Sequence, residues 1–85
     1  MQNIDRKKRY ESRLEKYREK TGLTREEIVK DLVFFGIKIT YVAYCKWEAG
    51  ERCPSLHTCN NLRTYFKGKG VEVGDLIDLF PIRHF

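Results

Sequence analysis

The chain has 85 residues, which bounds it to one small domain with one modest core. Aromatic rings make up 13% of it, net charge is +5 and the sequence pI is about 9.2, a balance that favours a polyanionic partner. Apolar runs fall short of the roughly 20 residues of a membrane span, and Arg6-Lys7-Lys8-Arg9 leads into Tyr10-Glu11-Ser12-Arg13 without the apolar stretch of an export signal. No membrane span is therefore expected, the protein is expected to be cytoplasmic, and the polyanion is either nucleic acid or an anionic membrane surface.

The whole chain reads as a single unit, with a core over 5–80 and an apolar tail over 81–85. A first helix is expected from Asp5, with Asn3 as a competing cap, to Lys20. Tyr10, Leu14 and Tyr17 recur there at spacings of four and three on one face, and Thr21-Gly22 ends it. Charge is uneven: residues 1–20 hold eight Lys or Arg against four acids, residues 21–50 four against four, and residues 51–85 five against four. The excess sits at Arg6, Lys7, Lys8, Arg9 and Arg13. Two readings stay open for it, a solvated face or a set of phosphate contacts.

Thr24-Arg25-Glu26-Glu27 has the spacing of a capping box and opens a second helix with Ile28, Leu32 and Phe35 on one face and Val29 beside them. Phe34 falls off that face. The expected reading is that it covers the edge of the core; the other is that it meets a partner. Gly36 suits a left-handed exit, and Ile37-Lys38-Ile39 is a short alternating, extended piece. Thr40 caps a third helix, Tyr41 to Ala49, stopped by Gly50. Helix, glycine-containing connection and helix outline a helix-turn-helix, whose second helix lies in the DNA major groove.

Within that third helix, Tyr44 and Trp47 should be buried, leaving Tyr41, Val42, Cys45 and Lys46 outward. Tyr41 and Val42 either meet base edges and thymine methyl groups or pack on the Gly36–Ile39 connection. After the turn Glu51-Arg52-Cys53-Pro54, Ser55 caps a fourth helix from Leu56 to Lys67, with Leu56, Cys59, Leu62 and Phe66 toward the core. A last helix is expected from Gly74 to Phe80, ended by Pro81. Leu79, Phe80, Ile82 and Phe85 motivate homodimerisation through that helix and the tail.

An odd set of cysteines, Cys45, Cys53 and Cys59, argues against a disulfide framework. Cys53, His57 and Cys59 do not have the spacing of a common zinc site, and no metal or cofactor is expected. The residues form no nucleophile–base pair and no phosphate-binding glycine loop, and His57 and His84 lie in separate elements. An enzyme is not expected.

Arg18, Gly22-Leu23-Thr24, Glu27-Ile28, Lys46-Trp47-Glu48-Ala49-Gly50, Pro54-Ser55-Leu56 and Leu76 to Phe80 together resemble the Xre, or lambda-repressor/Cro-like, helix-turn-helix family, over about Leu14 to Phe80. Trp-Glu-x-Gly followed by Pro-Ser is the strong marker. The resemblance implies an all-α bundle of about five helices. It also implies a sequence-specific regulator of transcription, repressor-like, that binds double-stranded DNA as a two-fold dimer. It places Tyr41, Val42 and Cys45 at base-facing positions, and Thr24, Arg25, Thr40, Lys46 and Arg52 at backbone-contacting ones. It also implies a structural salt bridge between Arg18 and Glu48. Two features depart from the family. Val33 to Lys38 makes the connection about five residues longer than the usual 3–4-residue turn. The base-facing positions lack Gln, Asn, Arg or Ser, which suggests reading by thymine methyls and DNA shape. An alternative role on the same scaffold is a protein-binding antitoxin or anti-activator.

Overall fold

Three of the four helices in this computed structural model begin at a hydroxyl side chain that accepts from an amide three residues on. Thr24 accepts from Glu27, Thr40 from Ala43 and Ser55 from Thr58, each at 3.1 Å. The structure describes residues 11–74 and 79–81. Its helices are α1 (Leu14–Thr21), α2 (Arg25–Phe35), α3 (Tyr41–Ala49) and α4 (Leu56–Gly68). The chain is all-helical in these elements. The capping box is complete, because the Glu27 carboxylate also accepts from the Thr24 amide at 2.9 Å.

α1 is shorter than its periodicity predicts. Residues 5–10 lie outside the described residues, and the helix starts at Leu14 rather than continuing through 11–13. Two hydrogen bonds explain the late start. The Leu14 amide donates to the Ser12 hydroxyl at 3.3 Å, and the Arg13 amide donates to the Leu79 carbonyl at 2.8 Å. The segment before α1 is thus committed to the far end of the chain rather than to helix.

α2 closes in a Schellman turn. The Ile37 amide donates to Leu32 O at 2.9 Å and the Gly36 amide to Val33 O at 3.0 Å, with Gly36 at φ 115. Only glycine takes that backbone freely. The turn drives Ile37 into the core beside Leu32, with Lys38 exposed and Ile39 half-buried, so the connection alternates as expected.

The core gathers Leu14, Tyr17, Ile28, Leu32, Ile37 and Tyr44 from the first three helices and their connection. Cys59, Leu62, Tyr65 and Phe66 of α4 complete it with Val71, Val73, Leu79 and Phe80. Tyr17 packs on Phe66 at 6.0 Å between ring centroids, and Phe35 meets Tyr65 edge-on at 5.6 Å. Three expectations change. Phe35 is not buried, because it covers Tyr65 at the rim of the core. Leu56, the first residue of α4, is exposed. Phe34 is 94% exposed and so covers nothing.

The expected last helix falls mostly on 75–78, outside the described residues, and Leu79–Pro81 form a bend. Leu79 and Phe80 are completely buried in this chain's own core, so they offer no surface to a second copy. Among the described residues no helix is long and apolar enough to cross a membrane.

Burial separates neighbouring positions on α2. Leu32→Ala should lower the unfolding free energy by about 2–5 kcal/mol in urea titration. Phe34→Ala should stay within about 0.5 kcal/mol of wild type.

Candidate functional site

The site is built around one carboxylate. Glu48 lies in the last turn of α3, where the helix dipole disfavours an acid. Its side chain is only 4% exposed, and three donors meet it. Arg18 Nε of α1 donates to Oε2 at 2.6 Å, Arg25 Nε of α2 to Oε1 at 2.8 Å, and the Tyr44 hydroxyl of α3 to Oε2 at 2.5 Å. The Arg18–Glu48 bridge expected from the sequence is therefore present. Arg18 is 11% exposed and also donates from Nη1 to Leu23 O at 3.0 Å, which ties it to the turn between α1 and α2.

Burial on its own would raise the Glu48 pKa. The hydrogen bonds from Arg18, Tyr44 and Arg25 outweigh it and hold the carboxyl below its ordinary value. Burial pushes the Tyr44 phenol well above its ordinary value, and its bond to the Glu48 anion adds to the rise. Tyr44 is therefore a neutral donor at every working pH.

With Tyr44 and Glu48 turned inward and Trp47 half-buried against the core, the opposite side of α3 faces out. Val42 is 63% and Tyr41 42% exposed, while Cys45 and Lys46 are partly exposed. These four residues, with Ala49 and Glu51, line a shallow depression of about 340 Å³. Neither Tyr41 nor Val42 is buried against the Gly36–Ile39 connection. Interaction with Cys45, one turn on, lifts the Tyr41 phenol above its ordinary value.

The residues expected near a phosphate backbone divide into two sets. Thr24 and Thr40 are exposed caps at the starts of α2 and α3, and the first turn of α3 has no acid to offset its dipole. Arg52 is exposed, in a loop folded back so that its amide donates to Lys46 O at 3.3 Å. Arg25 is different: its Nε is on Glu48, and its Nη2 is 3.8 Å from Glu15. In this structure its guanidinium completes the clamp.

Two features had not been expected from the sequence. The donors Arg25 and Tyr44 join Arg18 on Glu48. Tyr44 lies four residues before Glu48, a spacing that signals facing side chains, whereas Arg25 carries no local signal. Separately, Asp31 accepts from the Tyr65 hydroxyl at 2.8 Å and pairs with Lys69 Nζ at 2.9 Å. Phe34 and Phe35 flank it. Among the described residues no three His, Cys, Asp or Glu side chains converge as a metal site would require.

Comparison with family models, with curated protein sequences and with solved structures returns no match.

Breaking the clamp leaves Arg18 buried without its anion. Glu48→Ala should cost about 3–5 kcal/mol in urea titration. The depressed Glu48 pKa sets the sign of the pH effect. The contribution is fully present above the ordinary glutamate value, about 4.3, and is lost as pH falls through the lower folded value. The stability gap between wild type and Glu48→Gln should therefore be flat through neutral pH and close only in that acid window.

Proposed function

We propose that the protein is a sequence-specific double-stranded DNA-binding regulator of transcription that lays α3 in the major groove. The observation that carries this reading is the outward side of α3: exposed Tyr41 and Val42 on a helix whose inner side is held to α1 and α2 through Glu48. Leaving such apolar surface exposed on a short, rigidly held helix is explained by contact with base edges. Net charge of +5, concentrated in residues 1–20, would add phosphate contacts. Lys46, Arg52 and the exposed caps Thr24 and Thr40 are the candidate backbone contacts.

The finer fold that accompanies this reading is a lambda-repressor-like bundle of about five helices. It is suggested by the Trp-Glu-x-Gly…Pro-Ser pattern and by the Arg18–Glu48 bridge. A cytoplasmic homodimer is part of the same proposal. Since Leu79 and Phe80 are buried, its interface would draw on the tail residues Ile82 and Phe85.

A second reading, a protein-binding antitoxin or anti-activator, is favoured by one observation. Val33 and Phe34 are exposed beside a cleft of about 230 Å³ lined by Asp31, Phe34, Phe35, Tyr65, Gly68 and Lys69. Phe34→Ser would break such an association and leave DNA affinity unchanged.

Fluorescence anisotropy on duplexes selected from a random pool tests the first reading. Wild type should bind with a steep salt dependence. Lys46→Glu should weaken binding about tenfold or more and lower the salt slope by about one for each phosphate that is no longer neutralised. Salt-insensitive binding, or no enrichment of any duplex, would count against it.

A further inference from the structure

We propose that the depression on the outer side of α3 is a C5-methyl pocket that recognises thymine methyl groups on two or three consecutive base pairs. This inference rests on the DNA-binding reading above and names what that surface reads.

The lining determines the chemistry. Tyr41, Val42, Cys45 and Ala49 supply a ring, two branched methyls, a thiol and a methyl. Lys46 and Glu51 are its charged members. Base-pair edges in the major groove offer acceptors, amino donors and one apolar group, the C5 methyl of thymine. Bidentate reading of guanine or adenine needs Arg, Asn or Gln. None of these lines the depression, and the Arg25 guanidinium is drawn onto Glu48 and Glu15. Apart from Lys46, Glu51 and the Tyr41 hydroxyl, what this lining can present to a base edge is largely apolar.

Spacing sets the reach. Val42, Cys45 and Ala49 follow one another at intervals of three and four and form one stripe. Seven residues of helix rise about 10 Å, close to the rise of three base pairs. The acid-free start of α3 and the chain's positive charge suit the flanking phosphates of the same duplex. The rigidity of the inner face matters here, because a methyl contact carries information only if the wall that receives it does not move.

The test uses the full chain and the duplex it selects. Each thymine is replaced in turn by deoxyuridine, which removes the methyl and leaves every hydrogen-bonding group in place. Affinity should fall roughly fourfold per contacted methyl, the loss expected for one buried methyl-sized group. The affected positions should be two or three in a row in each half-site. The same series with Val42→Ala, an exposed substitution that leaves the core intact, should show a smaller uracil effect at one of those positions. Uniform affinity across the uracil series overturns the methyl pocket and leaves DNA binding standing. A uracil effect unchanged in Val42→Ala places the methyl contact elsewhere and also overturns it. Failure of the pool to enrich any duplex sinks the DNA-binding reading itself.

Discussion

One carboxylate holds three helices together. Glu48 takes donors from α1, α2 and its own helix, and each donor closes a different degree of freedom. Arg18 fixes α3 to α1. Arg25 fixes it to the first turn of α2. Tyr44, one turn back along α3, donates a third hydrogen bond to the same carboxylate. A buried ion pair is weak evidence for net stability, because desolvation offsets much of its attraction. Its value lies in direction. Hydrogen bonds at 2.5–2.8 Å tolerate little rotation, whereas an apolar contact of equal area would tolerate slippage. An acid near the C-terminal end of a helix is also opposed by the dipole, so the two guanidinium groups answer both burial and backbone field.

That arrangement on the inner face is what leaves the outer face available. α3 is apolar on two sides: Tyr44 and Trp47 toward the core, Tyr41, Val42 and Ala49 away from it. An ordinary surface helix has one apolar stripe and one charged one. A helix with two has a second surface to cover. Lys46 and the folded-back Arg52 sit at its C-terminal end, and a capped N-terminus without acids sits at the other. On the DNA-binding proposal, this second surface would meet base edges between the phosphates on either side of a duplex groove.

Much of this was legible from residue order, and the legible parts are local. Thr24, Thr40 and Ser55 announce their helices because a cap involves four consecutive residues and little else. Gly36 and Gly50 announce the exits for the same reason. The Arg18–Glu48 pair came through motif resemblance rather than periodicity. The illegible parts are long-range. The start of α1 is set by the Leu79 carbonyl, more than sixty residues away. Arg25 reads as an exposed first-turn base, yet only the packed structure brings Glu48 to it. Leu79 and Phe80 read as a sticky end, although both are fully buried in the core with the earlier helices. Phe34 illustrates the reverse case: an aromatic residue next to core positions invites burial, but it lies one residue out of phase with the stripe of Ile28 and Leu32.

The connection between α2 and α3 shows how these levels combine. Val33 to Phe35, expected to lengthen it, form the last turn of α2, and only residues 36–40 join the two helices. Those residues are restrained at each step. The Schellman turn fixes the exit at Gly36, Ile37 enters the core beside Leu32, Ile39 packs half-buried, and Thr40 caps the next helix. With its N-terminal end anchored in this way and its C-terminal end held by Glu48, α3 is constrained at two points about 12 Å apart along its axis. Two separated anchors define a direction where a tight turn alone defines only a starting point. The orientation of the outer face therefore follows from the clamp and the buried isoleucine together.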